Sequence, residues 1–210
     1  MNANWYPAVW AAGIAVLCCA LNADAVDRAV YREGDTWTYR VIEGPTTWGG
    51  GPFTSTVTKT ITRVGADEFE MSVVAIPDRG EKKTSTELLS LDLDDFIQLS
   101  PDAPRQESKT WIWPVDEGQS WTYEVPVAGG KQVWQARAKG WEEIQVPAGT
   151  FKALKVEREL ISAPGIQTIM KAVSWYSPAV KMSVRWETRG SSGMVIIRNV
   201  SRELLSYRVQ

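Results

Sequence analysis

The sequence predicts an all-β protein: an antiparallel sheet curved into a half-barrel or partly closed barrel, built from two similar halves. Three observations carry that prediction. The apolar residues recur with a period of two, one segment is repeated about 84 residues downstream, and turn-forming residues sit between the periodic runs.

The periodicity runs along most of the chain. Glu33 to Val41 contains Trp37, Tyr39 and Val41 in alternation. Thr54 to Val64 (TSTVTKTITRV) is dense in β-branched residues, which suit a pleated surface. Glu81 to Leu91 is the one stretch where a short helix competes, although Thr84, Ser85 and Thr86 oppose it. Trp134, Ala136 and Ala138 alternate with Gln135, Arg137 and Lys139. From Lys152 to Leu160, Leu154, Val156 and Leu160 take one face, with Lys155, Glu157 and Glu159 on the other. The cleanest run is Val180-Lys-Met182-Ser-Val184-Arg-Trp186-Glu. Such alternation describes antiparallel strands with one buried and one wet face. Between the runs, Val146-Pro147-Ala148-Gly149 has Pro at the second position of a type I turn. Gly44-Pro45 and Ala163-Pro164-Gly165 end other strands, and Gly49 to Gly51 form a surface loop.

The repeat pairs Glu33-Gly-Asp-Thr-Trp37-Thr-Tyr39-Arg-Val41 with Glu117-Gly-Gln-Ser-Trp121-Thr-Tyr123-Glu-Val125. Val64-x-Ala66-x-x-Phe69 recurs as Val146-x-Ala148-x-x-Phe151 in the same order. The expected organisation is therefore one domain over 26–210, with halves at about 26–110 and 111–210. Two copies are too few for a solenoid.

Residues 1–25 read as a signal peptide. Ala8 to Leu21 is apolar or small throughout, and Ala23-Asp24-Ala25 forms an A-x-A cleavage site. Fourteen helical residues reach roughly 21 Å, short of the hydrocarbon core of a bilayer. No Lys or Arg precedes the run, which leaves the start codon open. Cys18 and Cys19 raise lipid anchoring through either residue as an alternative to free export. The expected location is periplasmic or extracellular, without a transmembrane span in the mature chain. Both cysteines lie in this segment, so the mature domain has no disulfide and its core must supply the stability.

Several segments resemble the TapB-like family of secreted bacterial proteins. They are the two Gly-x-x-Trp-Thr-Tyr motifs, Val146-Pro-Ala-Gly-Thr-Phe151, and Trp175-Tyr-Ser-Pro-Ala-Val-Lys181 followed by Val184-Arg-Trp-Glu187. The resemblance spans most of Tyr31 to Arg208 and is sharpest from Gly118 to Glu187. It implies a sheet similar to the lipoprotein-carrier (LolA-like) half-barrel, and it carries over no site residues because the family is mostly of unknown function. The family's last motif has glycine where this chain has Ala179 and Met182, so a different local turn is expected there.

Composition narrows the chemistry. The chain has no histidine, which removes the commonest general base and neutral metal ligand; with no cysteine in the mature domain, thiolate sites go too. No cofactor, no metal site and no catalytic residues are expected. Lys and Arg total 23 against 25 Asp and Glu, a balance that offers no case for nucleic acid. The carboxylates Asp92, Asp94, Asp95, Glu142 and Glu143 are the residual enzyme candidates, as one half of a glycan hydrolase pair. The plainer reading puts Asp92 and Asp94 on the wet face of a strand edge, with Leu91 and Leu93 opposite.

Tryptophan is in surplus: 11 in the chain, nine of them beyond residue 25. Trp37 and Trp121 hold matching repeat positions and are assigned to the core. Trp111 and Trp113 share a face of Trp-Ile-Trp-Pro, and Trp48 adjoins the glycine loop; these three are the candidate ligand-binding residues. The expected function is noncatalytic: an exported envelope protein binding a lipid-like apolar ligand, or a partner envelope protein, on a curved sheet. The alternative is an assembly module acting through an exposed strand edge, expected at the terminal strands.

Overall fold

The computed structural model describes residues 25–47, 52–99, 102–165 and 168–210. The residues before 25, where a signal peptide is expected, with Cys18 and Cys19, and the Trp48–Gly51 loop lie outside the described residues. Among those described there is no helix, and twelve strands account for the fold. They are β1 (Thr36–Glu43), β2 (Phe53–Val64), β3 (Glu68–Pro77), β4 (Lys83–Ser90), β5 (Phe96–Ile97), β6 (Gln106–Glu107), β7 (Ser120–Val127), β8 (Gly130–Val146), β9 (Gly149–Ser162), β10 (Thr168–Ser177), β11 (Met182–Ser192) and β12 (Val195–Arg208). The stretch from Lys83 to Ser90 is thus a strand, not a helix; its threonines and serines pair in register with β3.

Ten strands form one antiparallel sheet in the order β4-β3-β2-β1-β12-β11-β10-β9-β8-β7. The sheet is curved and unclosed, a half-barrel. It consists of two meanders, one of four strands and one of six, joined where β1 pairs with β12 from Thr36↔Arg208 to Glu43↔Val200. The first and last strands therefore lie inside the sheet, and the free edges belong to β4 and β7. This corrects the expectation of an open edge at the terminal strands.

Matching local structures enter β1 and β7. Asp35 Oδ2 accepts from Arg32 N at 3.1 Å, and Gln119 Oε1 accepts from Asp116 N at 2.8 Å. Gly34 and Gly118 take φ values of 87° and 82°, a left-handed conformation open to glycine. Each repeat then buries its tryptophan, at 0% exposure for Trp37 and 8% for Trp121. Their indole N–H groups donate to Val180 O and Thr110 O. The Pro147-Ala148 turn also forms where the sequence predicts it, with Val146 opposite Gly149.

All the inter-strand turns near Asp35, Gly65, Pro147 and Pro178 gather at one end. There Trp37, Ile61, Phe69, Met71, Val184 and Leu204 fill the sheet's curve as a continuous core. Asp35 is fully buried within it and accepts bonds from Lys181 Nζ at 2.7 Å and Gln210 N at 2.8 Å, tying the chain's end to the base. Lys181 itself holds φ at 63° in the turn between β10 and β11.

The connection from Leu91 to Gln119 runs from edge strand β4 to edge strand β7, bridging the gap in the half-barrel. Val115 pairs with Val26 across it, and Leu89 with Asp95. Asp92 and Asp94 sit in a turn rather than on a strand edge. Asp92 is solvent-facing and paired with Arg28 at 3.1 Å. Asp94 is 1% exposed. Its Oδ1 accepts from Thr110 Oγ1 at 2.8 Å, Trp111 N at 3.0 Å and Thr110 N, so it is the knot that folds the connection inward.

Candidate ligand-binding cavity

Opposite the packed base, the curve of the sheet is hollow. Alternation sends one residue in two inward along each strand. In the upper half these inward residues leave a cavity of about 680 Å³, within the range of small-ligand sites. Its lining reaches Glu43, Gln132 and Arg198 near the strand ends. The connection supplies the remaining wall through Leu93, Ile97, Thr110 and Trp111. Around the same end, Phe53, Ile161, Ile169, Met194 and Ile196 are all more than two-fifths exposed, giving the rim an apolar crest.

Aromatic side chains shape the wall. Tyr123 and Trp134 stack with centroids 6.3 Å apart; Trp186 of the same meander and Tyr39 of the other also line the cavity. Trp111 lines the cavity. Trp113 stacks on its far side at 5.1 Å, and both rings pack on Tyr176. Neither tryptophan is on a strand, contrary to the shared strand face expected; the extended connection places them by stacking, and Trp113 Nε1 donates to Asp92 O at 3.0 Å. Of the three candidate tryptophans, then, Trp111 is on the cavity and Trp113 supports it. Trp48 lies outside the described residues.

Charged groups on this inner face are the feature that sequence reading missed. Arg158 is 9% exposed. Its Nη1 donates to Ser174 Oγ at 2.7 Å, and its guanidinium lies 4.6 Å from the Trp111 ring centroid. Arg202 lies 5.0 Å from the Tyr39 ring and 5.5 Å from that of Trp186, and its buried Nε has no hydrogen-bond partner among the described residues. Lys59 forms an ion pair with Glu87. By contrast, no carboxylate among the described residues lies within ion-pair distance of Arg158 or Arg202. A desolvated cation–π contact contributes about 2 kcal/mol. Taking a cation out of water costs several kcal/mol, so Trp111 offsets only part of the burial of Arg158.

Burial also sets the titration of the neighbours. It pushes the Asp95 carboxyl up and the Lys59 ammonium down, each partly opposed by the other's charge. Burial raises the phenols too, Tyr39 to about 12, so Tyr39 and Tyr123 face the cavity as neutral hydroxyls. Among the five carboxylates considered for hydrolysis, Asp95 alone lines the cavity. Glu142 lies outside it, bonded to Trp175 Nε1 and Lys155.

The signal for these cations was present in the alternation. Arg158 falls between Val156 and Leu160, Lys59 between Val57 and Ile61, and Arg202 between Val200 and Leu204, each in the inward phase. A charge at an apolar phase marks either an interruption of the pattern or a polar site inside it.

Comparison with known proteins adds a family match. A model of the DUF3108-like family matches residues 130–198, from β8 into β12. No curated protein matches the chain. Two solved structures are similar. One is a protein of Bacteroides fragilis NCTC 9343, provisionally described as exported and with a YmcC-like fold. It is 14% identical with a TM-score of 0.47, over 88% of this chain and 100% of that one. The other, from Parabacteroides distasonis ATCC 8503, is provisionally described as a lipoprotein. It is 16% identical with a TM-score of 0.46, over the same shares of the two chains.

Proposed function

We propose that this is a noncatalytic protein of the bacterial envelope, exported to the periplasm or cell surface, which takes a lipid-like apolar ligand into its half-barrel. The carrying observation is the cavity of about 680 Å³, walled by Trp111, Tyr123, Trp134 and Trp186 at the unfilled end of the sheet. The exposed Phe53, Ile169 and Met194 at that end supply a greasy rim for an apolar molecule to cross. Export rests on the apolar run and A-x-A site in residues 1–25. The TapB-like resemblance is consistent with it. Anchoring through Cys18 or Cys19 belongs to the same proposal.

The test is native mass spectrometry of the protein purified from its own envelope, before and after delipidation, followed by titration with dodecanol. A co-purifying lipid, or saturable dodecanol binding weakened by Trp111→Ala, supports the reading. Absence of both overturns it.

A second reading has its own observation. Edge strands β4 and β7 each pair on one side only, and Lys83 to Thr86 of β4 are exposed. That edge is available for strand addition by a partner protein. Crosslinking from residues 83–86 in intact cells tests it; a failure to recover any envelope protein removes it.

A further inference from the structure

We propose that the ligand of this cavity is an amphiphile with an anionic head group, held by the guanidinium of Arg158 with Arg202 as a second cationic contact. The inference rests on the reading of the cavity as a lipid-like ligand site and specifies the ligand's chemistry.

Four observations lead to it. Arg158 and Arg202 both line the cavity, and arginine stays protonated at any physiological pH, so two permanent cations face an open-sided cavity. Neither has a carboxylate within ion-pair distance among the described residues, although Lys59 on the same wall is paired with Glu87. Both guanidiniums lie against aromatic rings, Arg158 on Trp111 and Arg202 between Tyr39 and Trp186. Arg158 commits Nη1 to Ser174 Oγ and Arg202 Nε has no partner among the described residues, so each guanidinium retains N–H donors for the oxygens of a carboxylate or phosphate. Finally, Tyr123 and Ser174 line the cavity beside Arg158 and bring hydroxyl groups to the same anion.

An uncharged hydrocarbon would desolvate these cations further without giving either an ion-pair partner, which is the costly arrangement for a buried charge. An anionic oxygen group repays the desolvation, while Val57, Val125, Trp134 and Met170 receive the chain. Carboxylate and phosphate head groups share this chemistry, and the experiment separates them.

The delipidated protein would be titrated with dodecanoate, dodecyl phosphate and dodecanol, three ligands with one chain and different heads. Binding of one or both anions about tenfold or more tighter than the alcohol is the expected result, from the strength of charge-assisted hydrogen bonds. The preferred anion identifies the head group. Arg158→Met should remove most of that preference, and Arg158→Lys should restore part of it, with dodecanol binding not weakened and a far-UV circular dichroism spectrum like the parent's as the control for folding. Arg202→Met should give a smaller loss. Equal binding of all three ligands by the unaltered protein overturns the anionic head group but leaves the apolar cavity standing. An anion preference untouched by both arginine substitutions overturns the assignment of these residues. Binding of none of the three overturns the cavity reading itself. Should Arg158→Met fail to fold, the three-ligand comparison on the unaltered protein and the Arg202→Met titration still decide.

Discussion

Asp35 and Asp94 are two buried carboxylates that hold the molecule together in different ways. Asp35 satisfies backbone donors from Arg32 and Gln210 and the ammonium of Lys181, whose side chain is 12% exposed. Removing one partner of such a buried pair leaves the other charge uncompensated. Asp35→Ala should therefore cost about 3–5 kcal/mol in urea unfolding. Asp35→Asn, which keeps an acceptor, should cost less. Among the described residues Asp94 has no cationic partner within ion-pair distance, and burial pushes its carboxyl up to about 6 against the three donors that favour the anion. Its pKa in the unfolded chain is about 3.9, so between about pH 4 and 6 the folded state binds more protons. The stability it contributes is full below about pH 4 and is lost as pH rises through 6. Melting temperatures measured across pH 4 to 7 should fall less steeply for Asp94→Asn than for the parent protein. Neither role was legible in the sequence. Asp94 reads there as a solvated edge because Asp-Leu-Asp-Asp looks like alternation; only the fold supplies Thr110 and Trp111 to bury it.

The strands themselves were largely legible. Val180 to Glu187 predicts β11, and its Met182, Val184 and Trp186 do face inward. Leu154, Val156 and Leu160 likewise form the inner face of β9. The repeated Gly-x-x-Trp motif correctly marks two equivalent strand entries. The connection between Leu91 and Gln119 was not legible, because it has no period: its conformation comes from Asp94, from the Trp111–Trp113 stack and from the edges it spans. Irregularities within strands were also hidden. In β8 the register shifts between Ala138 and Gly140, where Gly140 takes φ of 139° and a Cβ would lie 2.8 Å from Glu117 Oε1. Glu117 is flexible and can yield, but the backbone cannot relax without losing the bulge. Gly140→Ala should therefore destabilise the protein by about 1–3 kcal/mol, read as a lower urea midpoint at unchanged m-value.

At the scale of the whole molecule, a filled base and a hollow top divide stability from binding. Because the cavity exists only when the meanders are joined, a ligand bound there would stabilise the fold by linkage. Dodecanoate at about one hundred times its dissociation constant should raise the unfolding free energy by about 2.7 kcal/mol, seen as a rise in melting temperature. Truncating Trp37 in the base should cost about 3–5 kcal/mol without changing ligand affinity in the molecules that remain folded. Residue by residue, the sequence determined that the chain is β, where several of its strands turn and that Trp37 and Trp121 are core, because period, turn geometry and repetition are local properties. The tertiary structure alone decided that β1 and β12 meet inside the sheet and that β4 and β7 become its edges. It also decided that Arg158 and Arg202 face an open-sided cavity. Those facts depend on curvature and on contacts between residues far apart in the chain, and alternation can say that a charge points inward without saying whether the interior there is full or empty.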